Sequence, residues 1–322
     1  MKWSFSAHRA FNRCQRQWYF RTLASGGSRS RNPLVREASR LSKIQTIDAW
    51  RGSLVDDAID MFVVPRLIFK ASIELDRLLD ATRALYERRL LAGLERKSID
   101  DKMVRFLELE EGNESVPPER FGRAWEEIRA SLTNLSTMNN LFDELWEAET
   151  FVSQRRLTFS FHTGYVTATP DLIAFYKNRP PLIVDWKVLA GFLSNYRQQL
   201  HTYAFAVSRT TPHKDYIQFA QHLAYPEKIR LAEAQLLTNT LLWHEIATAD
   251  IEGLQNWIAM GMDEMALARE GEFRASVKPE DLSGPSDPET CQRCPFRNLC
   301  WERLNPGEIK RWESYEPTFF QF

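Results

Sequence analysis

Two aspartates and a lysine interrupt a stretch of sequence whose other residues suit the interior of a β-sheet. Asp171 lies in "TPDLIAFY", and Asp185 and Lys187 lie in "PLIVDWKV", with the turn "KNRPP" (177–181) between them. Residues i and i+2 of a strand project from the same face, so Asp185 and Lys187 point together, and a hairpin would bring Asp171 beside Asp185. Burying these charges costs free energy unless they bind something, which makes the hairpin a candidate for chemistry.

Two neighbouring carboxylates repel each other, and a hard divalent cation relieves that repulsion. Oxygen ligands in small number suit Mg²⁺ or Mn²⁺, with Asp171 and Asp185 as the ligands. Such an ion polarises a phosphate and acidifies its bound water, and the Lys187 ammonium would orient that water or stabilise developing charge. The alternative interpretation of Asp185 and Lys187 is a structural ion pair at a sheet edge.

The helix predicted after these strands carries further polar groups. Gln199 and Tyr203 are four residues apart on one face of "SNYRQQLHTYAFAVSR" (194–209), and Tyr196 extends the same stripe. Gln199 and Tyr203 could position a DNA phosphate, or Tyr203 could pack into the core with Gln199 at its rim. Glu149, just ahead of the first strand, could add a carboxylate to the metal or be an ordinary surface acid.

The four cysteines fall into two groups at opposite ends of the chain. Cys291, Cys294 and Cys300 lie in "TCQRCPFRNLC", whereas Cys14 lies in "FNRCQRQWYF". Four cysteines in 322 residues are too few for a disulfide scaffold, and the spacing C-x2-C-x5-C in an intracellular chain indicates a metal or cluster site. Four thiolates suit tetrahedral Zn²⁺ as well as an iron–sulfur cluster.

The charge is distributed unevenly. Residues 1–43 carry ten Lys or Arg against Glu37 alone, a net charge of +9, so the remaining residues must sum to −10 for the overall −1. The basic segment includes Trp18, Tyr19 and Phe20, and cations interleaved with aromatic rings suit a nucleic-acid strand. The alternative is a solvated basic helix that pairs with the acidic remainder.

Composition places the chain among globular proteins, with 43% apolar and 26% charged residues. No apolar run is long enough to span a bilayer, and the N-terminus lacks the apolar core of a secretory signal, so we expect a cytoplasmic protein with no membrane partner. The sequence has no Gly-rich phosphate loop of the Walker type, so any unwinding of DNA would need a partner helicase.

The elements predicted from hydrophobic period are helices, a strand cluster, a helix, a strand and more helices. The predicted helices cover 4–23, 47–69, 70–147 with a break at 111–120, 194–209 and 228–271, and the predicted strands lie within 150–189 and 215–226. Serine at position 4 would cap the first helix. This order predicts an α/β fold, a small mixed sheet preceded by a large helical region.

Three of these motifs together resemble one known family. "PD…DWK" resembles the PD-(D/E)xK nuclease core, and "QLHTY" (199–203) resembles the Q-x3-Y motif of its RecB-like branch. Cys14 with the trio at 291–300 is similar to the iron–sulfur members of that branch, which include the nuclease domain of the AddB subunit and stand-alone CRISPR-associated exonucleases. In those members the four cysteines hold a [4Fe–4S] cluster that ties the two ends of the chain together.

The resemblance implies a role for each matching residue. Asp171, Asp185 and the backbone carbonyl of Trp186 would be metal ligands, Glu149 would match an upstream acidic residue, Lys187 would be the catalytic lysine, and Gln199 and Tyr203 would contact DNA. The chain departs from the family's G-x3-H motif, because Asp56 lies four residues after Gly52 where a histidine is usual, and an aspartate there can still bind Mg²⁺ or Mn²⁺. Ala168 replaces a common glycine, and Gln15 replaces the proline that usually follows the first cysteine.

The resemblance implies a restriction-endonuclease-like α/β core with a large helical insertion and an iron–sulfur domain formed by both termini. We expect four regions: 1–46, basic with the first cysteine; 47–147, helical; 148–227, the nuclease core; and 228–322, helices and cysteines. The implied function is a Mg²⁺- or Mn²⁺-dependent deoxyribonuclease, an exonuclease on single strands or DNA ends in recombination, repair, phage replication or defence. The alternatives are a nuclease-derived binding module without catalysis and a site-specific endonuclease.

Overall fold

The computed structural model describes residues 1–96, 98–99, 102–110, 116–188, 196–269 and 279–304, with 98–99 and 102–103 described by their backbone alone. The helices are α1 (Phe5–Arg13), α2 (Gln15–Ala24), α3 (Pro33–Leu41), α4 (Ile47–Ala58), α5 (Val64–Ile68), α6 (Leu75–Leu94), α7 (Leu107–Glu110), α8 (Pro118–Thr137), α9 (Asn139–Trp146), α10 (Tyr196–Arg209), α11 (Thr248–Leu267), α12 (Glu289–Gln292) and α13 (Arg297–Leu304). The strands are β1 (Lys2–Trp3), β2 (Ser98–Ile99), β3 (Lys102–Met103), β4 (Thr150–Ser153), β5 (Leu157–Phe161), β6 (Gly164–Ala168), β7 (Leu172–Phe175), β8 (Leu182–Lys187), β9 (Arg230–Gln235) and β10 (Thr240–His244). A π-helical turn (Ile59–Val63) joins α4 to α5, and 3₁₀ turns lie at Ile217–His222, Pro226–Lys228 and Pro279–Asp281.

Parts of several predicted segments lie outside the described residues. They are 97, 100–101 and 111–115 of the helical stretch 70–147 with its break, 189–195 of the predicted core, including the last strand residue and the first two residues of the helix 194–209, and 270–278 with 305–322 of the predicted C-terminal region.

The chain divides into two compact units. Unit 1 consists of Met1–Arg9 and Lys43–Glu270, and unit 2 consists of Ala10–Ser42 and Gly271–Phe322. Both units are therefore assembled from segments that are distant in the sequence.

The main sheet of unit 1 is mixed, as predicted. Its five strands run in the order β10-β9-β8-β7-β4, with β8 and β9 parallel and every other pair antiparallel. The predicted hairpin is confirmed, since β7 and β8 pair in antiparallel register around the loop that contains "KNRPP". A second sheet has the order β1-β6-β5. The mixed α/β class, with sheets flanked by helices, is confirmed.

The two faces of β8 meet different surroundings because successive side chains of a strand alternate. Leu182, Val184 and Trp186 belong to the hydrophobic core of unit 1, which they share with residues of α4 and α8. Asp185 and Lys187 project from the opposite face, which contacts α10. Helix α10 in turn packs on the second sheet through Phe205, whose ring makes edge contacts with two phenylalanines of β5. The catalytic candidates thus lie between the main sheet and α10.

The predicted helix over 228–271 is wrong in its first half. Residues 230–235 and 240–244 form the hairpin β9–β10, and helix begins only at Thr248. The sequence "RLAEAQ" consists of good helix formers, but pairing with the buried strand β8 overrides that preference. Asn239, with φ of 51°, takes the left-handed conformation that the tight turn requires.

The strand predicted over 215–226 is also wrong. Its aromatic residues gave it high strand propensity, yet the segment forms 3₁₀ turns. Tyr216 and Phe219 stack on Phe175 of β7, with ring centroids 4.8 and 5.5 Å apart. Their burial comes from covering the sheet and not from joining it.

Short breaks also interrupt the predicted helices 4–23 and 70–147. Cys14 separates α1 from α2, and the hairpin β2–β3 follows α6. The predicted cap is present, since Ser4 Oγ accepts a hydrogen bond from the Ala7 N–H at 3.2 Å. Within the described part of the chain, no helix is long and apolar enough to cross a membrane.

The C-terminal end of β8 is held by a buried arginine of α4. Arg51 Nη2 donates a hydrogen bond to the Val188 carbonyl at 2.9 Å, and Nη1 forms an ion pair with Glu127 of α8. The Arg51 side chain is 9% exposed, so removing it would leave a carbonyl and a carboxylate without their cation.

We therefore expect Arg51→Ala to lower the free energy of unfolding by about 2–4 kcal/mol, measured by urea denaturation. The matched control is Arg77→Ala, whose ion pair with Glu74 is exposed, and a change of at most about 0.5 kcal/mol is expected there. Equal losses in the two variants would contradict a special role for Arg51.

Candidate active site

Asp185 and Lys187 form a buried ion pair at the centre of the sheet. Asp185 has no exposed surface, and its Oδ2 contacts the Lys187 ammonium. Its Oδ1 accepts a hydrogen bond from Gln199 Nε2 at 3.4 Å. The Lys187 ammonium also lies 4.7 Å from the centre of the Tyr196 ring, which provides a cation–π contact from α10.

Asp171 is fixed beside this pair by three hydrogen bonds. It lies one residue before β7, where its Oδ2 accepts from the Trp186 N–H at 3.0 Å. Its Oδ1 accepts from Gln154 Nε2, and its carbonyl accepts from the Gln154 N–H, both at 3.2 Å. The structure thus brings Asp171, Asp185 and Lys187 together, with the backbone of Trp186 among them.

Asp56 of α4 joins the same group of charges. Burial, followed by the neighbouring Asp171 carboxylate, raises the pKa of Asp56 to about 7, although Lys187 partly opposes the shift. The adjacent Asp57 instead forms an ion pair with Arg89 of α6. Asp56 therefore lies close enough to Asp171 and Lys187 to interact with both charges.

The electrostatics of the site show three carboxylates that compete for one cation. Complete burial raises the pKa of Asp185, and Asp171 raises it further, whereas Lys187 lowers it. Burial lowers the pKa of Lys187, but Asp185 and Asp171 outweigh that effect and hold it above its usual value. Lys187 is thus protonated at neutral pH, beside carboxyl groups whose raised pKa values favour their neutral form.

Gln199 and Tyr203 reach the carboxylates instead of the surface. Gln199 Nε2 donates to Asp185 and lies 2.5 Å from the Tyr203 hydroxyl. Tyr203 is 7% exposed, and burial followed by the charge of Asp185 raises its pKa well above the usual value. Gln199 and Tyr203 thus connect α10 to Asp185. The same geometry agrees with the alternative in which Tyr203 packs in the core and Gln199 lies at the edge of that core.

The structure does not bring Glu149 to this group. The Glu149 N–H donates to the Phe175 carbonyl, at the end of β7 opposite to Asp171. Four strand residues separate the two ends, which amounts to roughly 13 Å or more. Glu149 influences Lys70 instead, whose ammonium is held by the carbonyls of Trp146 and Ala148.

Sequence reasoning missed several polar residues of the site. Glu233 of β9 lies directly beside Asp185 and is 3% exposed, with hydrogen bonds to His244 at 3.0 Å and Gln235 at 2.9 Å. Gln154, which binds Asp171, was missed as well. The alternation of alanine and polar residues in "AEAQ" could have indicated a strand that carries Glu233. The composition of "RLAEAQ" favours a helix, and a helix was therefore predicted.

The four cysteines line one cavity in unit 2. This cavity has a volume of about 240 Å³, and all four thiols are free. Cys14 caps α2, and its Sγ accepts from the Gln17 N–H at 3.4 Å. Burial raises the pKa of Cys300 to about 12, which Arg16 opposes and the other three thiols reinforce.

Hydrogen bonds and aromatic contacts join the two segments of unit 2 around this cavity. Arg16 Nε donates to the carbonyls of Pro279 and Leu282, each at 3.0 Å, and Phe20 stacks on Phe296 at 5.7 Å. The rings of Trp18, Tyr19 and Phe20 are all buried, so the expectation that they stack on bases is wrong. These rings pack in the protein core instead.

None of these groups is a preformed site for a single metal ion. Among the residues that the structure describes, no three or more His, Cys, Asp or Glu side chains are already arranged around one ion. At the carboxylates, the Lys187 ammonium is the cation in contact with Asp185.

Comparison with known proteins supports a family assignment from the sequence. The chain matches the PD-(D/E)XK nuclease superfamily over residues 2–301. No curated protein matches it. One similar solved structure, described as "Crystal structure of SSO0001", is 11% identical and aligns over 70% of this chain and 98% of its own, with a TM-score of 0.31. A TM-score this low supports no inference about this chain.

The raised pKa of Asp56 predicts a pH dependence for the metal-free protein. A carboxyl that titrates near pH 7 when folded, but near pH 4 when unfolded, stabilises the fold below about pH 4, and this contribution disappears as the pH rises through about 7. Relative to the wild type in EDTA, Asp56→Asn should therefore gain on the order of 2–4 kcal/mol of stability between pH 4 and pH 8. Urea denaturation at a series of pH values measures this difference.

Asp76→Asn provides the control, because Asp76 is exposed on α6. It should show no such gain over the same range. A difference between Asp56→Asn and the wild type that stays flat from pH 4 to pH 8 would contradict the electrostatic account of the site.

Proposed function

The chain belongs to the PD-(D/E)XK nuclease superfamily, and we propose that it is a Mg²⁺- or Mn²⁺-dependent deoxyribonuclease of the RecB-like branch. The observation that carries this proposal is the convergence of Asp171, Asp185 and Lys187 on the hairpin β7–β8. A fully buried Asp–Lys pair beside a second carboxylate is costly for a purely structural element. It is the arrangement that hydrolysis of a phosphodiester needs.

The residues present fit a divalent ion. PD-(D/E)XK nucleases use divalent metals, and Asp171, Asp185 and Asp56 supply hard oxygen donors on three different elements. Asp185 Oδ2 has the Lys187 ammonium as its partner but accepts no further hydrogen bond among the described residues. Burial, followed by the charge of Asp171, raises the pKa values of Asp56 and Asp185, and a bound cation would offset both effects. When bound, the ion would polarise the scissile phosphate and lower the pKa of a water molecule.

Lys187 acts in this proposal as a fixed positive charge. Because its pKa is raised, it stays protonated at neutral pH and cannot serve as a general base in this arrangement. Its ammonium, held by Asp185 and the Tyr196 ring, would stabilise negative charge that develops on the phosphate. Gln199 acts as a positioning residue, since it orients the Asp185 carboxylate from α10.

The substrate we propose is single-stranded DNA or a DNA end, cleaved exonucleolytically. Support comes from the resemblance of the motifs to end-processing relatives and from the basic segment 1–43, with its net charge of +9. Since the sequence contains no Walker-type loop, we propose that a partner helicase supplies any unwinding during recombination or repair. The alternative of a binding module without catalysis has one supporting feature, the replacement of the family's histidine by Asp56.

We also propose that Cys14, Cys291, Cys294 and Cys300 hold a [4Fe–4S] cluster. Four free thiols line a cavity of about 240 Å³. Four thiolates suit both tetrahedral Zn²⁺ and a cluster, and the resemblance of the cysteine pattern to the iron–sulfur members favours the cluster. Bound, the cluster would supply a structural link between the two segments of unit 2.

Lys187→Ala should reduce the rate of DNA cleavage by about 10²-fold or more, because the charge on the phosphate loses its cation. End-labelled single- and double-stranded DNA in Mg²⁺ or Mn²⁺ measures this loss, and EDTA should abolish cleavage by the wild type. Lys177→Ala, an exposed lysine in the β7–β8 loop, should retain the wild-type rate. Unchanged cleavage by Lys187→Ala would refute the catalytic role, and a wild type that shifts DNA in EDTA but never cleaves it would favour the binding module.

Anaerobically purified protein should be brown and contain about four irons and four sulfides per chain. Cys14→Ala should lose this absorbance as fully as Cys300→Ala does, because both thiols line the same cavity. Absorbance spectra and metal analysis test this directly. A colourless protein with one zinc per chain would refute the cluster and leave the nuclease proposal intact.

A further inference from the structure

A second cavity in unit 1 adjoins the candidate active site. Its volume is about 660 Å³, within the range typical of small-molecule sites. Two of its lining residues, Asp56 and Gln154, also belong to the candidate active site. Gln154 donates a hydrogen bond to the Asp171 carboxylate. A ligand in this cavity would therefore lie next to the carboxylates where the phosphodiester is cleaved.

The charged residues of the cavity favour an anion only when the metal site is filled. Lys43 and Arg89 contribute two positive charges, and three aspartates, Asp56, Asp57 and Asp60, contribute three negative ones. Arg89 already pairs with Asp57, and Asp60 accepts a hydrogen bond from Ser153. With all five groups charged, the lining has a net charge of −1, which a divalent ion at Asp56 would change to +1. Lys43, which is exposed, is the cation left at the rim.

The lining also contains a buried donor without an acceptor. Trp50 is 1% exposed, and its Nε1–H has no hydrogen-bond partner among the residues that the structure describes. A buried donor of this kind costs about 1–3 kcal/mol unless a ligand or water accepts from it. The ring itself is held by aromatic contacts with Tyr86 and Phe106, so its position is fixed before any ligand arrives.

We propose that this cavity binds the terminal nucleotide of the strand being cleaved, with its anionic phosphate toward Asp56 and Lys43 and an acceptor of its base or sugar toward Trp50. This inference rests on the proposed function and adds a specificity determinant to it. A pocket that holds one terminal nucleotide beside the scissile bond selects strand ends over internal positions. The amide side chain of Gln154 lies where it can contact both the nucleotide and Asp171.

The direct test is the binding of deoxythymidine monophosphate to the full-length protein by calorimetry. It should bind with a dissociation constant below about 1 mM in Mn²⁺ and should not bind in EDTA, because the lining is then net negative. Trp50→Phe keeps the ring but removes the donor, and should weaken binding about five- to tenfold. Lys43→Ala should weaken it about threefold. Absence of binding by the wild type at about 1 mM, or equal binding in EDTA, would overturn the proposal.

Filling the cavity tests its link to end specificity. Ser53→Trp introduces a large side chain from the lining of α4, whereas Ala49→Trp adds the same bulk four residues earlier on the same helix, outside the lining. Ser53→Trp should abolish binding of deoxythymidine monophosphate and lower mononucleotide release from linear single strands at least tenfold. Ala49→Trp should change neither, and thermal denaturation confirms that both variants fold.

Wild-type mononucleotide release by a Ser53→Trp variant that no longer binds the nucleotide would overturn the inference. Failure of the proposed function gives a different result, since a wild type that cleaves no DNA would still bind the mononucleotide. Thymidine and inorganic phosphate, tested separately, show which part of the nucleotide provides the affinity. Binding of phosphate as tight as that of the mononucleotide would exclude recognition by Trp50.

Discussion

A carboxylate without exposed surface lies in the middle of the main sheet, and the surrounding elements must compensate its charge. Asp185 obtains a cation from its own strand and an amide from α10, while the Asp171 carboxyl just before β7 adds a like charge beside it. Each partner belongs to a different element, so the hairpin and α10 must be placed correctly for the fold to tolerate the buried charge. Stability and the candidate chemistry thus depend on the same contacts.

This dependence explains how the site is organised. The Trp186 N–H binds the Asp171 carboxylate on one side of β8, while Gln199 fixes Asp185 on the side of α10. Arg51 secures the strand's C-terminal end, and its helix α4 also carries Asp56 toward the carboxylates. A π-helical turn follows α4 directly, an irregularity that is often found next to functional sites. Asp56, Asp185 and Gln199 lie on helices and strands, and Asp171 is anchored one residue before β7 by its hydrogen bond to the Trp186 N–H.

The sequence was sufficient to predict that Asp171, Asp185 and Lys187 lie together, but not which other acidic residues lie beside them. Asp171, Asp185 and Lys187 could be predicted because a period of two and one short turn determine their relative positions. Glu233 could not be predicted, because the residues of its strand favour a helix and the strand forms only by pairing with β8. Glu149 was predicted from its position in the chain, yet antiparallel pairing carries it to the wrong end of β7. Residues that depend on the partner of a strand, or on its direction, need the tertiary structure.

The division of unit 2 between two distant segments has a consequence for biosynthesis. Cys14 is translated 286 residues before Cys300, which corresponds to roughly 15 to 60 s at ordinary elongation rates. The strands of the main sheet all lie between these cysteines, so the ribosome releases the whole sheet before unit 2 can close. During this interval the Cys14 thiol lacks the three cysteines with which it later lines one cavity. Assembly of the chain is therefore ordered in time, with the sheet available to fold first and the cysteine cavity forming last.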